Sequence, residues 1–105
     1  MPGFFEQAKQ AMQMRNQVKR VQREIEEMRK EYSNAGVKVV VSGDMEITAL
    51  EISDKTLLDP AKEEKLVRTF TENVNKALRL AKDAAQERMK ALSKDLGLGG
   101  LGGLG

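Results

Sequence analysis

At 105 residues with a formal net charge of +2, the chain is sized for one small domain. It holds no cysteine and no histidine, which excludes disulfides, thiol nucleophiles, the usual zinc ligand sets and the commonest general base. Aromatic residues are confined to Phe4, Phe5, Tyr32 and Phe70, so one chain has a modest core and a second copy is the expected supplement.

No apolar run approaches the roughly 18 residues of a membrane span, and the polar register after Phe5 is not that of a signal peptide. A cytoplasmic protein with no membrane partner is the expectation. After a short lead-in, Phe4 to Tyr32 reads as one long helix. Apolar or small residues fall at Phe4, Ala11, Met14, Val18, Val21, Ile25, Met28 and Tyr32, in steps of three and four broken only at Gln7. That is a heptad seam on a helix about 40 Å long. Ser33 to Gly36 then closes it, with Asn34 or Gly36 suited to a left-handed stop.

Gly36 to Ile52 is the stretch that does not read as helix. Val37, Val39, Val40, Val41, Ile47, Thr48 and Ile52 are β-branched, and Ser42-Gly43-Asp44 is turn chemistry between two runs. A β-hairpin with a two-residue Gly43-Asp44 loop would pair Val41 with Glu46, Val40 with Ile47 and Val39 with Thr48. One face then carries Val37, Val39, Val41, Leu50 and Ile52, and the other Val40, Met45, Ile47 and Ala49. A lone hairpin is marginal in water, so helices and a second copy must cover it.

Ser53 to Pro60 is a connector ending in helix-start chemistry, with Asp59 at the cap and Pro60 in the first helical position. A second helix follows to about Lys94. Its stripe is Val67, Phe70, Val74, Leu78, Ala81, Ala85, Met89 and Leu92, at a period near 3.6. Small residues at Ala77, Ala81, Ala84 and Ala85 would let the first helix return beside it, antiparallel. Residues 1–96 thus form one domain, and the Gly/Leu-rich segment 97–105 reads as a flexible tail.

Charge is unevenly distributed. Lys9, Arg15, Lys19, Arg20 and Arg23 oppose only Glu6 up to residue 23, while Lys76, Arg79, Lys82, Arg88, Lys90 and Lys94 oppose only Asp83 and Glu87 between residues 76 and 94. Everything between is net acidic. In an antiparallel pair these two basic segments converge on one end, far from an acidic sheet. Such a pole suits a polyanion, with double-stranded DNA the obvious partner. The candidate DNA-binding residues are Lys9, Arg15, Lys19, Arg20, Arg23, Lys76, Arg79, Lys90 and Lys94. With no aromatic stacking set and no helix-turn-helix signature, phosphate contact with little sequence readout is the expected mode.

The order of a long amphipathic helix, VKVVVSGDMEITALEI, the connector SDKTLLDP, then KEEKLVRTFTENVNKALRLAKDAAQERM and a Gly-Leu tail resembles the YbaB/EbfC family of bacterial nucleoid-associated proteins. The likeness covers nearly the whole chain. It is most specific in the VKVxVxG strand, the segment from Ile52 to Leu58, and the V-N-x-A step at Val74 to Ala77. The resemblance implies an α+β homodimer joined through its sheet with projecting helical arms, DNA binding, and a role in organising the nucleoid or modulating expression. Members of the family usually carry a further glycine-rich extended segment before the VKV strand. Here only Ser33 to Gly36 remains, which predicts two strands per protomer.

Two other classes fit the sequence less well. A prefoldin-like coiled-coil chaperone shares the helix, hairpin, helix plan, and Phe4, Phe5, Met12, Met14 and Met89 would then hold unfolded clients; a hexamer rather than a dimer would mark it. An enzyme is not expected. Glu63 with Glu64 is a first-turn helix signal and Glu26 with Glu27 lies on a solvated face. No glycine-rich loop joins strand to helix, so no cofactor, metal or small-molecule substrate is expected.

Overall fold

The valine run is the centre of the structure. In the computed structural model, which describes residues 3–97, Val37, Val39 and Val41 are almost wholly buried on one face of strand β2 (Val37–Ser42). Strand β3 (Ile47–Ile52) pairs antiparallel on one side, as hairpin chemistry predicts, and strand β1 (Arg29–Asn34) pairs antiparallel on the other. The sheet therefore has three strands, not two.

Strand β1 comes out of what reads as the end of the first helix. Helix α1 (Phe4–Glu27) stops because Met28 turns extended, its N–H still reaching the Ile25 carbonyl. The four-residue step from Met28 to Tyr32 fits a helix face, but it fits a strand face equally well, since four is a multiple of the strand period of two. Lys30 and Tyr32 are half-buried while Arg29 and Glu31 are exposed. Pairing with a valine-rich strand overrides the helix preference of the Arg, Lys and Glu residues in the segment. Ala35 and Gly36, at φ of 53° and 82°, form the two-residue β1–β2 turn rather than a helix stop.

The β2–β3 turn is longer than the expected two-residue loop. The Ser42 N–H donates to the Glu46 carbonyl at 2.8 Å, the Ser42 hydroxyl donates to the Asp44 carboxylate, and Met45 takes the left-handed backbone. Val41 accordingly faces Ile47, Val40 faces Ala49 and Val39 faces Leu50, with Thr48 the extra residue of a β-bulge. Gly43 is needed for another reason. A Cβ there would run into the Ile25 carbonyl, and the Gly43 N–H donates to the Met28 carbonyl at 3.2 Å, so the end of α1 rests directly on this turn.

Two 3-10 turns, Lys55–Leu58 and Pro60–Lys62, lead into helix α2 (Glu63–Asp95). Asp54 caps the first, accepting from the Thr56 N–H at 3.0 Å and from its hydroxyl, and these bonds hold its carboxyl below the usual range. Asp59 caps the second through the Ala61 N–H at 2.9 Å, so the Asp-Pro signal starts a 3-10 turn one step before the α-helix proper.

Helix α2 lies across β1 and β2. Its buried axis is Thr69, Asn73, Ala77 and Ala81, one residue every four, with Phe70, Val74 and Leu78 flanking it half-buried. The predicted stripe is thus offset: Val67 and Met89 are exposed, and Ala77 and Ala81 bring the helix close to the sheet rather than to α1. Asn73, fully buried, donates from Nδ2 to the carbonyls of Asn34 and Val37, both at 2.9 Å, tying the β1–β2 turn to α2. That gives the V-N-x-A step a structural reason. No helix among the described residues is long and apolar enough to cross a membrane. The proposed tail lies outside the described residues from 98 onward.

Candidate nucleic-acid interface

Helix α1 leaves the sheet beside the later part of α2 and runs antiparallel to it. The two are joined by the Arg88 Nε, which donates to Glu24 Oε2 at 2.7 Å, and by the buried Val21 and Leu92 about one turn further out. Counting on from that pair, the end of α2 at Asp95 draws level with Gln17, the first half-buried residue of α1. Every residue from 3 to 16 is exposed. About 20 Å of α1 therefore projects past the end of its partner helix, at about 1.5 Å per residue, and the molecule extends over 74 Å. The heptad seam is used only at Val18, Val21 and Ile25; Phe4, Ala11 and Met14 lie beyond the end of α2 and are exposed.

All nine candidate residues are exposed, and none forms an ion pair among the described residues. Seven of them are brought to one arm: Lys9 and Arg15 on the projecting part of α1, Lys19, Arg20 and Arg23 on the paired part, and Lys90 and Lys94 on α2. Lys76 and Arg79 are not. They line a cleft of about 350 Å³ over β1 with Tyr32, Asn34, Glu72, Asn73 and Asn75, roughly 25 Å along the helix from Lys94. The basic segment of α2 thus divides between the sheet and the arm.

Two other cations are tied up in ion pairs. Lys38 bridges Glu31 and Glu51 across the three strands at 3.4 and 3.9 Å; with Arg29 and Lys30 brought in by β1, the strands carry three cations against two carboxylates, so the sheet is not the acidic pole that the sequence suggests. Arg88, basic in the sequence, is spent on Glu24, a pairing across 64 residues for which no local sequence signal exists. Its hydrogen bond, aided by its own charge and that of Arg20, holds the Glu24 carboxyl below the ordinary range despite some desolvation.

A lowered carboxylate pKa contributes stability above its unfolded value, and that contribution is lost as pH falls through the folded value. The α1–α2 junction should therefore loosen below the ordinary carboxylate range. Spin labels at Gln22 and Gln86 should move apart on acidification in the native protein. In Glu24→Gln they should already be further apart at neutral pH, with no acid step. An acid step of unchanged size in that variant would assign the transition to another group.

The chain is similar to a nucleoid-associated protein of Afipia carboxidovorans, 36% identical over 104 residues that cover 97% of this chain and 98% of the relative. Nucleoid-associated proteins of Nitrobacter hamburgensis and Rhodopseudomonas palustris are each 35% identical over 100 residues, covering 93% of both chains. The YbaB/EbfC DNA-binding family matches residues 1–96, a span that takes in the arm, the three-stranded sheet and the whole of α2. With the family matched over almost the full sequence and relatives aligned end to end, the chain belongs to the YbaB/EbfC DNA-binding family.

Proposed function

We propose that this chain is a nucleoid-associated protein that binds duplex DNA through phosphate contacts with little sequence readout, acting as a homodimer in the bacterial cytoplasm. The observation that carries the reading is the arm. Seven exposed cations without ion-pair partners among the described residues stand on two helices that run out beyond the sheet. Names of relatives and family point the same way. Support for the dimer comes from the other end: β3 is an edge strand that α2 leaves bare, with Ile47 and Leu50 exposed.

The test is retardation of random-sequence duplex across a salt series, with sizing of the protein. If about four phosphates are neutralised, affinity should fall roughly 10²-fold between about 50 and 200 mM salt. Binding indifferent to salt, or none near 50 mM, removes the proposal. The particle should have twice the chain mass, and a monomer stable on dilution removes the dimer. The chaperone reading keeps one observation in its favour, the exposure of Phe4, Phe5, Met12 and Met14 on the projecting arm. A hexamer that holds unfolded protein without retarding DNA would decide for it.

A further inference from the structure

Helix α1 carries two strips, and only one of them is a seam. Phe4, Gln7, Ala11, Met14, Val18, Val21 and Ile25 follow one another in steps of three and four on the side that meets α2. Phe5, Lys9, Met12, Asn16, Lys19 and Arg23 do the same in steps of four and three. At about 100° per residue the second strip is centred roughly 150° from the first, so α2 cannot cover it. All its members are exposed, Phe5 at 86% and Met12 at 65%. Phe4 packs edge-on against Phe5, ring centroids 6.3 Å apart.

Up to Arg23 the strip interleaves apolar and cationic side chains with no acidic residue; Glu26 and Glu27 follow only in the last turn of the helix, next to the sheet. A helix built to lie on a lipid surface separates an apolar face from a charged one. Here Phe5 and Met12 alternate with Lys9 and Lys19 on one face, and Gln7, Gln10, Gln13 and Gln17 fall outside that strip. That mixture matches a DNA groove, where phosphates line the walls and apolar base surface lies between them. Phe5 and Met12 are about 10 Å apart along the axis, close to three base steps of about 3.4 Å.

We propose that this outer strip is the face of α1 that enters the duplex, with Lys9, Lys19 and Arg23 on phosphates and Phe5 and Met12 against the bases, wedging a step partly open. The inference rests on the reading of the arm as a DNA interface and adds a contact that salt does not screen. Charge-neutral truncation should therefore lower affinity at every salt concentration alike.

The experiment compares the full chain with Phe5→Ala/Met12→Ala and with the helix-neutral Phe5→Gln/Met12→Gln, on random-sequence duplex carrying 2-aminopurine. Circular dichroism accompanies each. The native protein should brighten 2-aminopurine; for both variants the plot of log affinity against log salt should keep its slope and drop about tenfold, and the brightening should disappear. Unchanged affinity and brightening, or a change of slope in place of the parallel drop, overturns the proposal. So does a loss confined to vesicles of phosphatidylserine and phosphatidylcholine with DNA binding intact, which would give the strip to a membrane. A native protein that fails to bind duplex at all sinks the functional reading as well, an outcome separate from one that binds without unstacking.

Discussion

Replacing Arg15, Lys19, Arg20 and Arg23 together by alanine should weaken binding to random-sequence duplex by roughly 10²-fold near 0.1 M salt and flatten the salt dependence by up to about 3.6 in log–log slope. Each of these side chains is exposed and outside the ion pairs of the described residues, so none has to be released from a partner before it meets a phosphate. Alanine is at least as good a helix former as arginine or lysine, so helicity should not fall. The paired variant Lys76→Ala/Arg79→Ala is the control. Those two residues sit over the sheet, far from the arm, and their loss should change affinity less than threefold, less than one good phosphate contact is worth. Equal losses from both variants would mean that the interface runs the length of α2. No loss from the fourfold variant would take it off α1.

Gly43→Val should detach the arm from the sheet. The position carries no left-handed backbone, so the strain comes wholly from space: a Cβ would meet the Ile25 carbonyl and its side-chain methyl. Both neighbours belong to the last turns of α1, and the hydrogen bond from the Gly43 N–H to Met28 would be stretched with them. Overpacking of this kind costs about 1–3 kcal/mol, visible as a lower denaturation midpoint. Since β2 and α2 do not depend on the contact, the sheet should survive while the labels at Gln22 and Gln86 separate. DNA affinity should fall with that separation, because the cations of α1 would no longer stand beside Lys90 and Lys94. A variant with the native midpoint and native label distance would show that this turn does not fix the arm.

Much of this architecture was legible in the residues, and where it was not, a specific ambiguity intervened. The valine run, the two hairpin strands and the Asp59-Pro60 start followed from local chemistry that the tertiary structure reinforces. Strand β1 was missed because Met28 and Tyr32 satisfy the helix and strand periods together, and a segment of Arg, Lys and Glu leans toward helix until a partner strand is available. The register slipped because glycine in a turn suggests a positive φ, whereas Gly43 is there to admit Ile25 and the left-handed residue is Met45. The arm was legible as a concentration of charge. That α2 ends level with Gln17, leaving half of α1 uncovered, is a matter of how far two helices overlap in space, which no spacing within either helix encodes. For the same reason Lys76 and Arg79 read as part of the pole when they lie over β1.

Helix α2 is a single uninterrupted rod of 33 residues, with the sheet bolted to its first half and α1 strapped to its second. At about 1.5 Å per residue it is a lever of roughly 50 Å. A tilt of about 10° where Asn73 and Ala77 seat on the strands would sweep the far end through about 5 Å, more than the rise of one base step. Packing at the strands therefore sets where the far end of α2, and the helix strapped to it, stands in space, and a substitution under Asn73 can displace Lys90 and Lys94 without touching either of them.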